Sequence, residues 1–226
     1  MENEEVVLSA PLFANIEPSE ARALLGSMTP VRLSKGEVLF REGALGNQLF
    51  VITSGKIKLG RSSQDGRENL LAVLGPGEML GELSLFDPGP RTATATAVSD
   101  SELLELPHDR LASWITTHPA VATPLLGALA GRLRRTDEAL ADLVFSDVPG
   151  RVAKALLDLA ERFGQKTSDG IRVTHELTQE ELAQLVGASR ETVNKALADF
   201  TTRKWVRRDG RTLILVELER LQRRSR

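Results

Sequence analysis

The stretch PAVATPLLGALAGRLRRTDEALADLVF, from Pro119 to Phe145, decides how the rest of the chain is read. Leu126, Leu129, Leu133, Leu140 and Leu143 recur there in alternating steps of three and four, and Thr136 is the seam position that breaks the series with a hydroxyl. Spacing of this kind over several turns is the seam of a coiled coil, so the stretch is expected to form a helix that pairs with a second copy of itself. At about 1.5 Å per residue it would be roughly 40 Å long, too long for a surface helix packed on one small domain. A polar residue in a seam costs stability, and facing a ligand is one reason to keep it there.

The chain has 226 residues, 41% of them hydrophobic, which is enough for two domains with separate cores. It has no cysteine, which excludes disulfides, thiolate metal sites and a cysteine nucleophile. His108, His118 and His175 stand singly, so no metal is expected. Neither a basic-then-apolar leader nor a stretch approaching eighteen apolar residues is present; the reading is cytoplasmic, with no membrane partner. Charge is divided unevenly. Residues 148–226 hold 16 Lys/Arg against 11 Asp/Glu, and residues 1–147 hold 13 against 20. The basic C-terminal part is the one expected to meet a polyanion.

Ahead of the long helix, an amphipathic opening (Leu12, Phe13, Ile16, Ala21, Leu24, Leu25) predicts one or two helices. From Thr29 to Leu106 short β-type runs alternate with glycine turns at Gly36, Gly43, Gly46, Gly55, Asp65-Gly66, Gly75-Pro76-Gly77 and Pro88-Gly89-Pro90. That pattern predicts an antiparallel roll or jelly-roll barrel. Within it, Gly81 opens a short helical turn whose backbone N–H groups form an anion site. Arg91 follows the Pro-Gly-Pro bend with a donor fork matched to phosphate oxygens. Thr92 adds a hydroxyl, and Glu82 an acceptor suited to a sugar hydroxyl. Together they suit a small, singly charged sugar phosphate.

Gly81-Glu-Leu-Ser-Leu-Phe followed by Pro90-Arg-Thr-Ala resembles the phosphate-binding cassette of cyclic-nucleotide-binding domains, and the upstream glycines fall where that family places its turns. The similarity continues through the long helix and beyond, and matches the bacterial cyclic-AMP receptor protein family of transcription regulators. The resemblance implies that Glu82 holds the ribose 2′-hydroxyl, while Arg91, Thr92 and the amides near Gly81, Leu83 and Ser84 hold the cyclic phosphate. It implies that Thr136 contacts the adenine from the same subunit and Asp137 from the partner. Asp137 departs from the family's usual neutral Ser or Asn. A carboxylate there accepts from the adenine amino group, but it equally suits the N1–H and amino donors of guanine, and it adds charge beside a phosphate.

The C-terminal part reads as a winged helix-turn-helix. Asp147-Val-Pro-Gly breaks the long helix and caps a new one, from about Arg151 to Phe163, and a polar loop follows. Thr178-Gln-Glu-Glu181 is a capping box opening a second helix; Gly187 turns the chain, and Ser189 caps a third helix to about Phe200. Val193, Ala196, Leu197 and Phe200 share its core stripe, leaving Glu191, Asn194 and Lys195 opposite and Arg190 at the edge. Arg190 suits guanine O6 and N7, Glu191 suits cytosine N4, and Lys195 a guanine or a phosphate; Thr178, Gln179 and Ser189 sit at helix N-termini that meet phosphate. Trp205 to Val216 reads as a hairpin turning at Asp209-Gly210, with Arg207, Arg208 and Arg211 near its tip, and Arg220–Arg226 as a basic tail. Ser189-Arg-Glu-Thr-Val also resembles the family's recognition-helix core.

The fold class expected is α+β: an N-terminal antiparallel β-roll of the cyclic-nucleotide-binding type (1–117), a long dimerisation helix (118–146) and a C-terminal winged helix-turn-helix (147–226). The function expected is a homodimeric transcription regulator, not an enzyme, that responds to a cyclic nucleotide (cAMP, with cGMP as the alternative) and reads double-stranded palindromic DNA. The alternative is a dimer of the same fold that binds DNA constitutively. The resemblance further implies TGTGA-like half-sites and contact with RNA polymerase. An enzyme such as a phosphodiesterase finds no metal-ligand cluster or nucleophile–base pair in the sequence.

Overall fold

The computed structural model describes residues 2–63, 68–87, 89–209 and 212–225. Asp65-Gly66, Pro88, the wing-tip residues Gly210 and Arg211, and Arg226 lie outside the described residues. The chain divides into two compact units: residues 1–61 with 71–134, and residues 62–70 with 135–226.

The N-terminal unit opens with α1 (Glu2–Leu8), a 3₁₀ turn at Pro11–Phe13 and α2 (Pro18–Gly26). The strands follow: β1 (Thr29–Leu33), β2 (Val38–Phe40), β3 (Gln48–Ser54), β4 (Ile57–Ser62), β5 (Glu68–Leu74) and β6 (Met79–Leu80). After the short helix α3 (Leu83–Phe86) come β7 (Thr94–Ala97) and β8 (Ser101–Pro107). They form two four-stranded sheets, ordered β1-β8-β3-β6 and β2-β7-β4-β5, and the resolved pairings are antiparallel. This is the roll that the glycine-punctuated runs predict.

Strand β3 shows why the roll needs a helical cover. Its run from Leu49 to Thr53 is buried throughout. Because side chains alternate across a strand, Phe50 and Ile52 join the roll interior with Ile57, Leu80, Ala95 and Leu103. Leu49 and Val51 point to the other face and pack with Leu12, Phe13, Leu24 and Leu106. A strand buried on both faces must be covered on its outer side, and the opening helices do this together with α4 (His108–Thr117), through Leu111. No helix is expected at α4 from the sequence; its packed face rests on Leu111, Trp114 and Ile115.

After a 3₁₀ turn at Pro119–Val121, α5 runs from Ala122 to Phe145. Val121 and Leu125 are buried in the same outer core. Leu126, Leu133, Leu140 and Leu143 are exposed, with Leu133 and Leu140 each 63% accessible. Of the predicted seam leucines these four are thus exposed in the single chain, while Leu129 is half-buried.

In the C-terminal unit, α6 (Val148–Phe163) starts three residues earlier than the sequence suggests. Asp147 caps it by accepting from the Gly150 amide at 2.9 Å. The expected polar loop is instead a hairpin of β9 (Gly164–Thr167) and β10 (Gly170–Val173), whose few apolar residues gave no period-two signal. Next come α7 (Gln179–Val186), α8 (Arg190–Thr202), β11 (Val206–Asp209), β12 (Thr212–Leu215) and α9 (Leu218–Arg224). The sheet order is β11-β12-β10-β9. The C-terminal segment read as a basic tail is thus a helix: Leu221 is fully buried in the core with Val152, Leu156 and Val193.

That helix reaches back to the start of α6. Arg224 Nη2 donates to Asp147 Oδ2 at 2.6 Å, so one carboxylate both caps α6 and holds α9. Arg224, then the Gly150 amide, hold the Asp147 carboxyl below its usual range. A depressed carboxyl stabilises the fold above about pH 4, and that contribution is lost as pH falls through the folded value. Asp147→Ala is expected to cost about 1 kcal/mol in chemical denaturation at neutral pH, a cap-sized effect. Asp147→Asn, which still caps, should cost less.

Candidate nucleotide pocket and DNA reader

The cassette lies between β6 and β7. Gly81 has φ +87°, in the left-handed region, and a Cβ there would come within 2.6 Å of both Arg91 Nη1 and the Gln48 carbonyl oxygen. Arg91 is held through its own backbone: its amide donates to the Ala44 carbonyl and its carbonyl accepts from the Gly43 amide, each at 2.8 Å. Its side chain turns inward and is only 4% accessible. Nη1 donates to the Gly81 carbonyl at 3.2 Å, and Nη2 to the Gln48 carbonyl at 2.9 Å, with Gln48 Oε1 at 3.5 Å. The guanidinium lies 4.3 Å from the Phe40 ring centroid. Nε is buried without a partner, against Gly46, where a Cβ would approach to 2.1 Å. Burial lowers the Arg91 pKa while the Glu82 charge opposes it; a guanidinium stays cationic at working pH.

Glu82, at 4% accessible, is not the surface charge that an isolated glutamate suggests. Its Oε1 pairs with Arg132 Nη1 from α5, and Arg132 Nη2 also donates to the Met79 carbonyl at 3.0 Å. Its Oε2 is buried with no hydrogen-bond partner. A buried carboxylate oxygen left unpaired is costly and is satisfied when a hydroxyl donates to it. Leu83 and Ser84 lie on α3 itself, and Thr92 is exposed directly after Arg91. The structure thus brings Gly81, Glu82, Leu83, Ser84, Arg91 and Thr92 into one corner. Thr136 and Asp137 are exposed on α5, in the part of the helix that belongs to the other unit.

Arg132 and Gln48 are not found from sequence. Arg132 stands one turn before Thr136 on the helix that carries the seam, a spacing that could have flagged it. Gln48 acts through its backbone carbonyl, which leaves no mark in a sequence.

In the reader, both predicted caps are present. Thr178 Oγ1 accepts from the Glu181 amide at 3.1 Å, and the Glu181 carboxylate accepts from the Thr178 amide at 2.7 Å. Gly187 ends α7 in the left-handed region at φ +63°, and Ser189 Oγ accepts from the Thr192 amide at 3.2 Å to open α8. Val193, Ala196, Leu197 and Phe200 are buried as one stripe. Arg190, Glu191 and Lys195 are exposed, with Lys195 Nζ 2.7 Å from Glu191 Oε1. Thr178 and Ser189 are exposed and Gln179 half-buried. Asn194, expected on the open face, is half-buried, and its Oδ1 is buried without a partner, because its position borders the core stripe. In the wing, Arg207 Nη2 pairs with Asp169 Oδ2 at 2.9 Å and Arg172 with Asp209 Oδ2 at 3.1 Å. These exposed pairs contribute little stability, and Arg208 is exposed beside Arg207 on β11.

Among the described residues no group of three or more His, Asp or Glu could hold a metal ion, and no helix is long and apolar enough to cross a membrane.

The family model of the cyclic nucleotide-binding domain matches residues 30–118, and that of the Crp-like helix-turn-helix domain matches residues 150–224. The chain is 53% identical to a CRP-like cAMP-activated global transcriptional regulator of Mycobacterium tuberculosis, over 99% of this chain and 100% of that protein. It is 40% identical to the cyclic AMP receptor protein of Thermus thermophilus, over 83% of this chain and 84% of that one. Among solved structures it is similar to the c-di-GMP responsive global regulator CLP of Xanthomonas campestris, with a TM-score of 0.75 and 26% identity, covering 88% of this chain and 99% of that chain.

Proposed function

This chain belongs to the bacterial cyclic-AMP receptor protein family of transcription regulators, and on that premise we propose that it is a cytoplasmic homodimer whose DNA affinity is set by cyclic AMP. The observation that carries the reading is the buried Glu82 carboxylate, with Oε1 paired to Arg132 and Oε2 unpartnered. A ribose hydroxyl is a neutral donor of the right kind for Oε2. The Arg91 guanidinium, tied to the Gly81 carbonyl ten residues earlier in sequence, supplies the positive charge for the cyclic phosphate. Thr92 and the amides near Leu83 and Ser84 complete that end. Thr136 and the partner's equivalent of Asp137 would meet the base along the seam, so occupancy favours one arrangement of the dimer. A ligand shifts such an equilibrium only by its difference in affinity for the two states.

The exposed face of α8, with Arg190, Glu191 and Lys195, would enter the major groove, and Thr178, Gln179 and Ser189 would meet the phosphates on either side. Two such helices in a dimer read half-sites one helical turn apart. RNA polymerase is the further partner.

The test is calorimetric titration of the full chain with cyclic AMP and cyclic GMP, followed by binding to a palindromic duplex with TGTGA-like half-sites. Micromolar or tighter cyclic AMP binding and a rise in DNA affinity with it are expected. A preference for cyclic GMP would assign the base contact to Asp137, and Asp137→Ser should then return the preference to cyclic AMP. No response to either nucleotide, with DNA binding intact, would leave a constitutive DNA-binding dimer.

A further inference from the structure

His108 is the first residue of α4 and has no part in the pocket as described so far. Its backbone amide donates to the Asn47 carbonyl at 2.8 Å, which fixes the start of the helix beside the start of β3. Its ring Nε2 lies 3.2 Å from the Gly81 carbonyl oxygen. A carbonyl only accepts, so Nε2 carries the proton. This is the same carbonyl that Arg91 engages through Nη1, while Arg91 Nη2 donates to the Gln48 carbonyl. Two donors, one charged and one not, therefore share the Gly81 acceptor beside the cassette.

The sharing bears on what Arg91 can do. The guanidinium has five N–H groups. One on each Nη is engaged with these carbonyls, and Nε is buried against Gly46. If Arg91 alone satisfied the Gly81 carbonyl, turning Nη1 toward an anion would leave that carbonyl unpaired, which is unfavourable. A second donor removes that conflict.

We propose that His108 is a positioning residue of the phosphate end of the pocket: its Nε2–H holds the Gly81 carbonyl, so that Nη1 of Arg91 is free to turn toward a phosphate. Burial holds His108 below the usual imidazole range; the Gly81 carbonyl opposes this, and the Arg91 charge adds to it. The ring is thus neutral at neutral pH and supplies its donor without a second cation beside Arg91. Asp109, the other charged neighbour acting on the ring, works in the raising direction and is secondary. Gly81 is also the residue before Glu82, so holding its carbonyl orients the peptide group that opens the cassette.

This inference rests on the cyclic-nucleotide reading, and the experiment keeps the two apart. Cyclic AMP is titrated calorimetrically into the wild-type chain, His108→Phe and His108→Gln, with thermal unfolding of each in the absence of nucleotide. Phe keeps a ring and loses the donor; Gln keeps an N–H donor at similar reach. His108→Phe is expected to bind cyclic AMP about three- to tenfold more weakly, the size of one net hydrogen bond, and His108→Gln to recover to within about threefold of wild type. A purely structural role would instead make affinity follow the unfolding temperatures. Wild-type affinity in His108→Phe overturns the inference, and so does equal weakening in both variants. If the wild-type chain itself does not bind, the cyclic-nucleotide reading has failed, and this inference falls with it. Should His108→Phe not fold, a loss of affinity in His108→Gln matching that of His108→Ala decides against it.

Discussion

Arg91→Gln is expected to weaken cyclic AMP binding by about a hundredfold or more while leaving a folded chain. A guanidinium gives a phosphate charge-assisted hydrogen bonds worth about 1.5–3 kcal/mol each, and two such bonds place the loss at roughly 3 kcal/mol or above. A glutamine keeps one neutral amide and neither the charge nor the fork. The fold tolerates the change because burying a charge is unfavourable in itself, and the backbone bonds of residue 91 to Ala44 and Gly43 do not depend on its side chain. Calorimetry reads the affinity, and unfolding in the absence of nucleotide reads the fold. An affinity within tenfold of wild type would mean that the phosphate is held by something other than Arg91. Arg91→Lys separates charge from geometry: an ammonium has no planar fork, so it should recover only part of the loss.

The second large effect is expected at the helix seam. Leu133 and Leu140 are each 63% accessible in the single chain, so exchanging Leu140 for Glu removes little that this chain buries by itself. In a symmetric seam every substitution occurs twice. Burial of a leucine contributes about 1.5–3 kcal/mol, so losing two of them costs on the order of 3–6 kcal/mol, before the repulsion of facing carboxylates. Leu140→Glu should therefore sediment as a monomer at concentrations where the wild type is a dimer, with its far-UV circular dichroism preserved. Affinity for a palindromic duplex should fall with it, because one reader grips only one half-site. A Leu140→Glu chain that remains dimeric would place the interface elsewhere.

Legibility in the sequence followed the range of the interactions concerned. The helix caps are the clearest case: Asp147, Thr178 and Ser189 each bond to an amide three residues on, so side chain and partner lie within one turn. The exposed apolar residues of α5 and the buried stripe of α8 were legible for the same reason, since a helical face is a matter of spacing. The β9–β10 hairpin and α4 were missed because each is held by the core it meets rather than by a pattern of its own.

What the sequence determined by itself is the order of the parts: a strand-rich part with a glycine-opened cassette, a long helix with exposed leucines, and a basic helix-turn-helix part with its caps. Those features are written in local spacing and residue type. Only the tertiary structure decided the state of the cassette's charged groups. Glu82 is buried because β6 ends in the core, and Arg132 reaches it from a helix fifty residues later. Arg91 turns inward because the carbonyls of Gly81, just past β6, and Gln48, at the start of β3, converge on it, and His108 arrives at the Gly81 carbonyl from the start of α4. The same holds for Arg224 and Asp147, brought together by the burial of Leu221. Backbone acceptors have no residue identity, and partners distant in sequence share no period. Their meeting is therefore decided by packing and not by pattern.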